Sequence, residues 1–235
     1  MLSIGETDFY IAVPSLPRHK FEKYSKNLFD DWEEYIGKAL KLPDYALSLE
    51  VEEGSIKGSA KIAAAVGAIY LGIGQYGSFI SGLQTIQGQV SSIGDFLATR
   101  AASPFQPNVT KPKIKKHAGT LGNLQKLFLK VQKGQLTPDQ AMIAAEVILG
   151  DDVLDSPEFM AELKTSLKEV PALAKQLALP LDIFEQDTLS IKTINHENKP
   201  RLPRPKPEPR LTQQFRVEVW RESKNKKRKF RIVEL

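Results

Sequence analysis

Residues 47–62, LSLEVEEGSIKGSAKI, decide the fold class. Leu47, Leu49 and Val51 alternate with Ser48, Glu50 and Glu52, the two-residue period of a strand with one buried and one wet face. Glu53-Gly54 is a turn signal, and Ile56, Gly58, Ala60 and Ile62 repeat the period on the return. The stretch predicts a β-hairpin. Upstream, Asp8–Val13 (DFYIAV) predicts a first strand, stopped by Pro14 and Pro17. From Lys20, the apolar positions Phe21, Tyr24, Leu28, Trp32, Ile36 and Leu40 fall three or four apart, which predicts a helix with one buried stripe. Strand, helix and hairpin in that order make an α+β unit.

Downstream of the hairpin, no charged residue occurs between Ile62 and Gly94. Ile62, Val66, Ile69, Ile73, Tyr76, Ile80, Leu83, Val90, Ile93 and, just beyond, Leu97 keep helical spacing with one gap at Gln87, predicting one long Gly/Ala-rich helix or two consecutive ones. Gly67, Gly74, Ser81 and Gly88 recur every seven residues. Small residues in register let another backbone approach, so these four are the expected positions for helix packing or oligomerisation.

The rest of the chain is well punctuated. Residues 101–118 (AASPFQPNVTKPKIKKHA) read as a basic, proline-containing linker. Leu121, Leu124, Phe128 and Val131 share a helical face ended by Gly134. Thr137-Pro138-Asp139-Gln140 combines an N-cap, a proline at the first helical position and a capping-box glutamine. Ser156-Pro157-Glu158 starts a further helix, and Pro171 and Pro180 bracket a short last one. Lys199–Arg210 (KPRLPRPKPEPR) predicts an extended polyproline spacer. Phe215, Val217 and Val219 then alternate with Arg216 and Glu218, and with Phe230 and Ile232 they predict a hairpin turning at Ser223–Lys227.

The expected architecture is therefore α+β. A small N-terminal strand-helix-hairpin unit with a long Gly/Ala-rich helix occupies 1–100, followed by the basic linker 101–118. A helical bundle covers 119–180, a Pro-rich linker 181–211, and a basic C-terminal β-hairpin 212–235.

Charge is segregated along the chain. Residues 101–135 hold seven lysines and no acidic residue, and 199–235 hold thirteen Lys or Arg against four Glu; the block between them is acidic. Such alternation points to a basic tail for nucleic acid or an acidic partner, or to a tail folded back on the acidic block. Cysteine is absent, which removes disulfides, thiolate metal sites and cysteine nucleophiles. The start MLSIGETDFY lacks a basic segment followed by an apolar one, so the expected location is cytoplasmic.

Catalytic and cofactor signatures do not assemble. Gly72-Ile-Gly74-Gln-Tyr-Gly77 matches G-x-G-x-x-G, but a dinucleotide site needs it between a strand and a helix, and here helical spacing runs through it. Gly54–Lys61 has the wrong spacing for a phosphate-binding loop. His19, His117 and His196 are scattered, and Asp151, Asp152, Asp155 and Glu158 lack the alternation and central glycine of a calcium loop. Glu50, Glu52 and Glu53 cluster at the hairpin and read as a solvated strand face rather than an acid-base pair. No cofactor and no metal is expected, and nothing argues for an enzyme, although one of unrecognised type is a third reading.

The binding signal lies in Lys111–Lys116 and, more strongly, in the tail. Arg216, Lys224, Lys226, Lys227, Arg228 and Lys229 would meet phosphates or carboxylates, with Trp220 and Phe230 as stacking platforms. The expected function is thus a non-catalytic intracellular interaction or adaptor protein, forming a homo-oligomer if the small-residue stripe pairs. The runner-up is a membrane-active oligomerising effector using the uncharged stretch 62–83, which is long enough to span a bilayer as one helix.

Overall fold

The computed structural model describes residues 1–105, 111–171 and 215–235. It contains six strands: β1 (Leu2–Ile11), β2 (Ala46–Glu52), β3 (Ile56–Ala64), β4 (Lys113–His117), β5 (Phe215–Arg221) and β6 (Lys229–Glu234). The helices are α1 (Arg18–Ala39), α2 (Val66–Ile73), α3 (Phe79–Ala102), α4 (Gly119–Gln132), α5 (Pro138–Leu149) and α6 (Pro157–Glu169). The strands form one antiparallel sheet in the order β4-β1-β3-β2-β5-β6. The fold is α+β, as the hairpin at 47–62 predicts.

The C-terminal hairpin is part of this sheet. β5 pairs with β2 from Leu47↔Arg221 to Glu52↔Arg216, although some 160 residues separate them in sequence. Phe215, Val217 and Val219 are buried beside Leu47, Leu49 and Val51. Alternation along β5 therefore reports burial against a shared core, as it does in β2. The sequence presents this hairpin as a separate appendage because the partner strand lies far upstream. All described residues belong to one compact unit.

One face of the sheet carries the helices. α1 contributes Phe21, Leu28, Phe29, Trp32 and Ile36, and α3 contributes Leu83, Ile86, Ile93 and Leu97. The approach of α3 to β1 depends on small residues: a Cβ on Gly5 would lie 2.1 Å from Val90 Cγ1, and one on Gly94 would lie 2.5 Å from Thr7 Oγ1. Gly5 and the polar residues around it also hide β1 from sequence reading, which starts the strand at Asp8; it begins at Leu2. The helical punctuation is seen as expected. Thr137 and Gln140 close a reciprocal capping box, with Thr137 Oγ1 accepting from Gln140 N at 3.2 Å and Thr137 N donating to Gln140 Oε1 at 3.0 Å.

Of the two readings of the uncharged stretch, two consecutive helices are what the structure shows, with a later start: its first residues, Ile62–Ala64, end β3, and α2 stops after eight residues before α3 begins. Gly74–Tyr76 make a 3₁₀ turn, Gly77 takes φ 81°, and Ser78 caps α3 by accepting from Ser81 N. A left-handed glycine followed by a fresh N-cap ends helical continuity, whatever the apolar spacing suggests. The membrane reading loses the single span on which it rests, and among the described residues no helix is long and apolar enough to cross a membrane. Residues 101–118, read as a linker, include the end of α3 and all of β4. The Pro-rich linker, Lys199–Arg210 and the short helix between Pro171 and Pro180 lie outside the described residues.

Candidate binding surface

The face of the sheet away from the helices is polar, and strand register arranges it in rows. One row reads Lys113, Tyr10, Lys57, Glu52, Arg216, Val233 across the six strands. The next reads Lys115, Asp8, Ser59, Glu50, Glu218, Arg231, and the third His117, Glu6, Lys61, Ser48, Trp220, Lys229. Opposite charges side by side stabilise such a face, and like charges directly opposite destabilise it. The one like pair, Glu50↔Glu218, is held by flanking cations. Arg231 Nη2 lies 2.7 Å from Glu218, and Arg216 reaches both Glu52 at 2.6 Å and Glu50 at 3.8 Å. Hydrogen bonding to Glu52 pushes the Arg216 pKa above its ordinary value.

This accounts for much of the tail's positive charge. Lys226 and Lys229 both pair with Glu222, at 3.2 and 2.5 Å, and these contacts hold its carboxyl below the usual range. Arg228 pairs with Asp30 and Arg221 with Glu33, both on α1. The Lys224 amide donates to Asp44 Oδ1 at 2.8 Å, and its ammonium stands 5.8 Å from the centre of the Tyr45 ring. Lys227 is exposed, with no ion-pair partner among the described residues. The tail folds back onto acids of α1, β2 and its own hairpin, and among the described residues none of its ion pairs reaches the acidic block expected to receive it. Trp220 and Phe230 lie on opposite faces: Trp220 is half-buried on the polar side, whereas Phe230 faces the helices with Lys26 Nζ 4.0 Å above its ring.

The cluster at 111–116 contrasts with this. Lys111, Lys113 and Lys115 are exposed, as are Lys57 and Lys61 on β3, and none of the five has an ion-pair partner among the described residues. Lys116 points to the helix side, where its ammonium lies 2.8 Å from Asp95. Lys113 Nζ stands 5.9 Å from the Tyr10 ring, and His117 Nε2 is 3.5 Å from Asp8. A shallow groove of about 430 Å³ opens here, with Tyr10, Asp8, Glu50, Glu52, Lys57, Lys113 and Lys115 among its lining. Sequence reading marks Lys111–Lys116 but not the surface around it, because four strands scattered along the chain, β1, β2, β3 and β4, build it and because KIKKH offers no apolar alternation.

The small-residue stripe is not brought together. Gly67 sits on α2, Gly74 in the 3₁₀ turn, and Ser81 and Gly88 on α3; Gly74 and Gly88 are exposed, with nothing within 4 Å of a Cβ placed on them. The close approach belongs instead to Gly82, where a Cβ would lie 2.6 Å from the Ile73 carbonyl oxygen. The G-x-G-x-x-G stretch lies at the α2–α3 elbow, preceded by a helix where a dinucleotide site needs a strand. Among the described residues no cluster of three His, Asp or Glu is arranged to hold a metal. Comparison with protein-family models, curated proteins and solved structures finds no match.

Proposed function

We propose that this protein is a non-catalytic, intracellular interaction module that captures an acidic protein partner at the β4 corner of its sheet. The observation that supports this reading is the group of five exposed lysines without ion-pair partners, Lys57, Lys61, Lys111, Lys113 and Lys115, beside the Tyr10 groove. Unpaired clustered cations raise the local concentration of an anionic partner and set its orientation. The hairpin, proposed from sequence as the binding element, has most of its cations already neutralised by neighbours. Nucleic acid fits less well, since Glu6, Asp8, Glu50 and Glu52 stand between the lysines and would face a continuous phosphate backbone. The test compares binding of a labelled poly-glutamate peptide to wild type, to Lys113→Glu/Lys115→Glu, and to Lys226→Glu/Lys227→Glu. The β4 pair is expected to weaken binding by roughly a hundredfold or more, as expected for reversal of two charges at a contact. The hairpin pair is expected to change it little, and the opposite ranking would return the function to the tail.

A further inference from the structure

β4 is the last strand on its side of the sheet, and all five of its residues are exposed. In an antiparallel pair, alternate residues turn their N–H and C=O groups toward the neighbour and the others turn theirs away. The outer edge of β4 thus offers main-chain donors and acceptors that no described strand takes. An edge of this kind invites pairing with any extended chain unless side chains discriminate. Here they discriminate by sign. Lys113, Lys115 and Lys116, in a strand without a carboxylate, repel a second copy of the same edge and attract a strand that carries carboxylates. The opposite edge lacks this pull, because Lys229, Arg231 and Glu234 of β6 already pair with Glu222, Glu218 and Arg18.

We propose that β4 is a docking edge for an extended acidic segment of a partner protein, which adds beside Lys113–His117 as a seventh strand. This rests on the basic corner being the binding surface. The side-chain alternation of β4 then specifies the segment. On the polar face its residues lie beside Lys113 and Lys115, which select carboxylates; on the helix face they lie beside Ile114, an exposed apolar side chain, which selects an aliphatic residue. A Glu-Val repeat satisfies both faces.

The experiment uses the full-length protein and two capped octapeptides with the same four carboxylates, one (Glu-Val)₄ and one (Glu-Pro)₄, whose prolines cannot continue a ladder. Strand addition predicts that (Glu-Val)₄ binds at least about tenfold tighter, a difference of roughly 1.4 kcal/mol. It also predicts that the outward-facing amides of Lys113–His117 gain protection from hydrogen exchange only with (Glu-Val)₄. Equal affinities without protection, both lost in Lys113→Glu/Lys115→Glu, would overturn strand addition and leave the basic corner standing. Failure of both peptides to bind at low salt would overturn strand addition and the basic corner together.

Discussion

The two edges of the sheet are both rich in cationic side chains, yet the fold pairs them to different extents. At the β6 edge most of the cations are matched: Arg228 to Asp30, Arg231 to Glu218, Lys226 and Lys229 to Glu222. At the β4 edge Lys111, Lys113 and Lys115 have no such counterpart among the described residues. Lysine count therefore says little about where a partner binds. What matters is how many of those charges the fold has already satisfied, and only the strand register reveals that.

The largest expected effect tests the structural side of the comparison. Deleting 212–235 removes β5 and β6 and uncovers the β2 edge, together with the core that Phe215, Val217 and Val219 help close. At about 1.5–3 kcal/mol for each buried aliphatic or aromatic side chain, the loss is several kcal/mol, comparable with the whole stability of a domain. The truncated chain is expected to unfold at much lower urea concentration or to be insoluble. A truncated protein with an unchanged urea midpoint would show that the hairpin is an appendage after all. Lys113→Glu/Lys115→Glu, by contrast, is expected to leave the midpoint nearly unchanged, because exposed unpaired charges contribute little to folding.

Legibility from sequence follows the range of the interactions. Local signals were readable: the 47–62 hairpin, the capping box at Thr137 and the apolar stripe of α1 need only neighbours within a few residues. The pairing of β5 with β2 is not local, since nothing in FRVEVWR names LSLEVE as its partner. β4 was harder still. KIKKH has a single apolar residue, and its strand state comes from pairing with β1, consistent with β-propensity being set by context. Sequence alone leaves open whether the uncharged stretch is one helix or two, because α2 and α3 keep apolar residues three or four apart across the elbow at Gly77.

A second, smaller test sits where the hairpin joins the sheet. Glu53 follows β2, and its amide donates to the Phe215 carbonyl at 3.1 Å while its buried carboxylate accepts from the Ser15 hydroxyl. Burial raises the Glu53 pKa, with a backbone hydrogen bond from Leu16 opposing the shift in part. A raised carboxyl pKa in the folded state means that the protonated form is favoured there. Its contribution to stability is complete below the ordinary carboxylate range and is lost as pH rises through the raised value. Glu53→Gln cannot ionise, so its loss of stability between about pH 4 and about pH 7 should be smaller than that of wild type. Urea midpoints at the two pH values give the comparison. A wild type and variant that change in parallel would mean that Glu53 ionises without cost in the fold.

The finest test compares neighbours within β4 itself. Lys115 and Lys116 are adjacent in sequence and chemically identical, but strand alternation turns Lys115 to the polar face beside Asp8 and Lys116 to the helix side, where it meets Asp95 and the Ser91 hydroxyl at 2.9 Å. Lys116→Ala removes one exposed ion pair and should cost at most about 1 kcal/mol of stability, as such pairs do. It should leave acidic-peptide affinity close to that of wild type. Lys115→Ala should do the reverse, leaving stability unchanged and weakening the peptide by roughly threefold to tenfold, the scale of a single surface charge at an interface. The pair separates side-chain direction from bulk charge, since both variants lower the net charge by the same amount. Equal losses of affinity would mean that the partner responds to the general field of residues 111–116, and the case for a register-specific contact on β4 would fall.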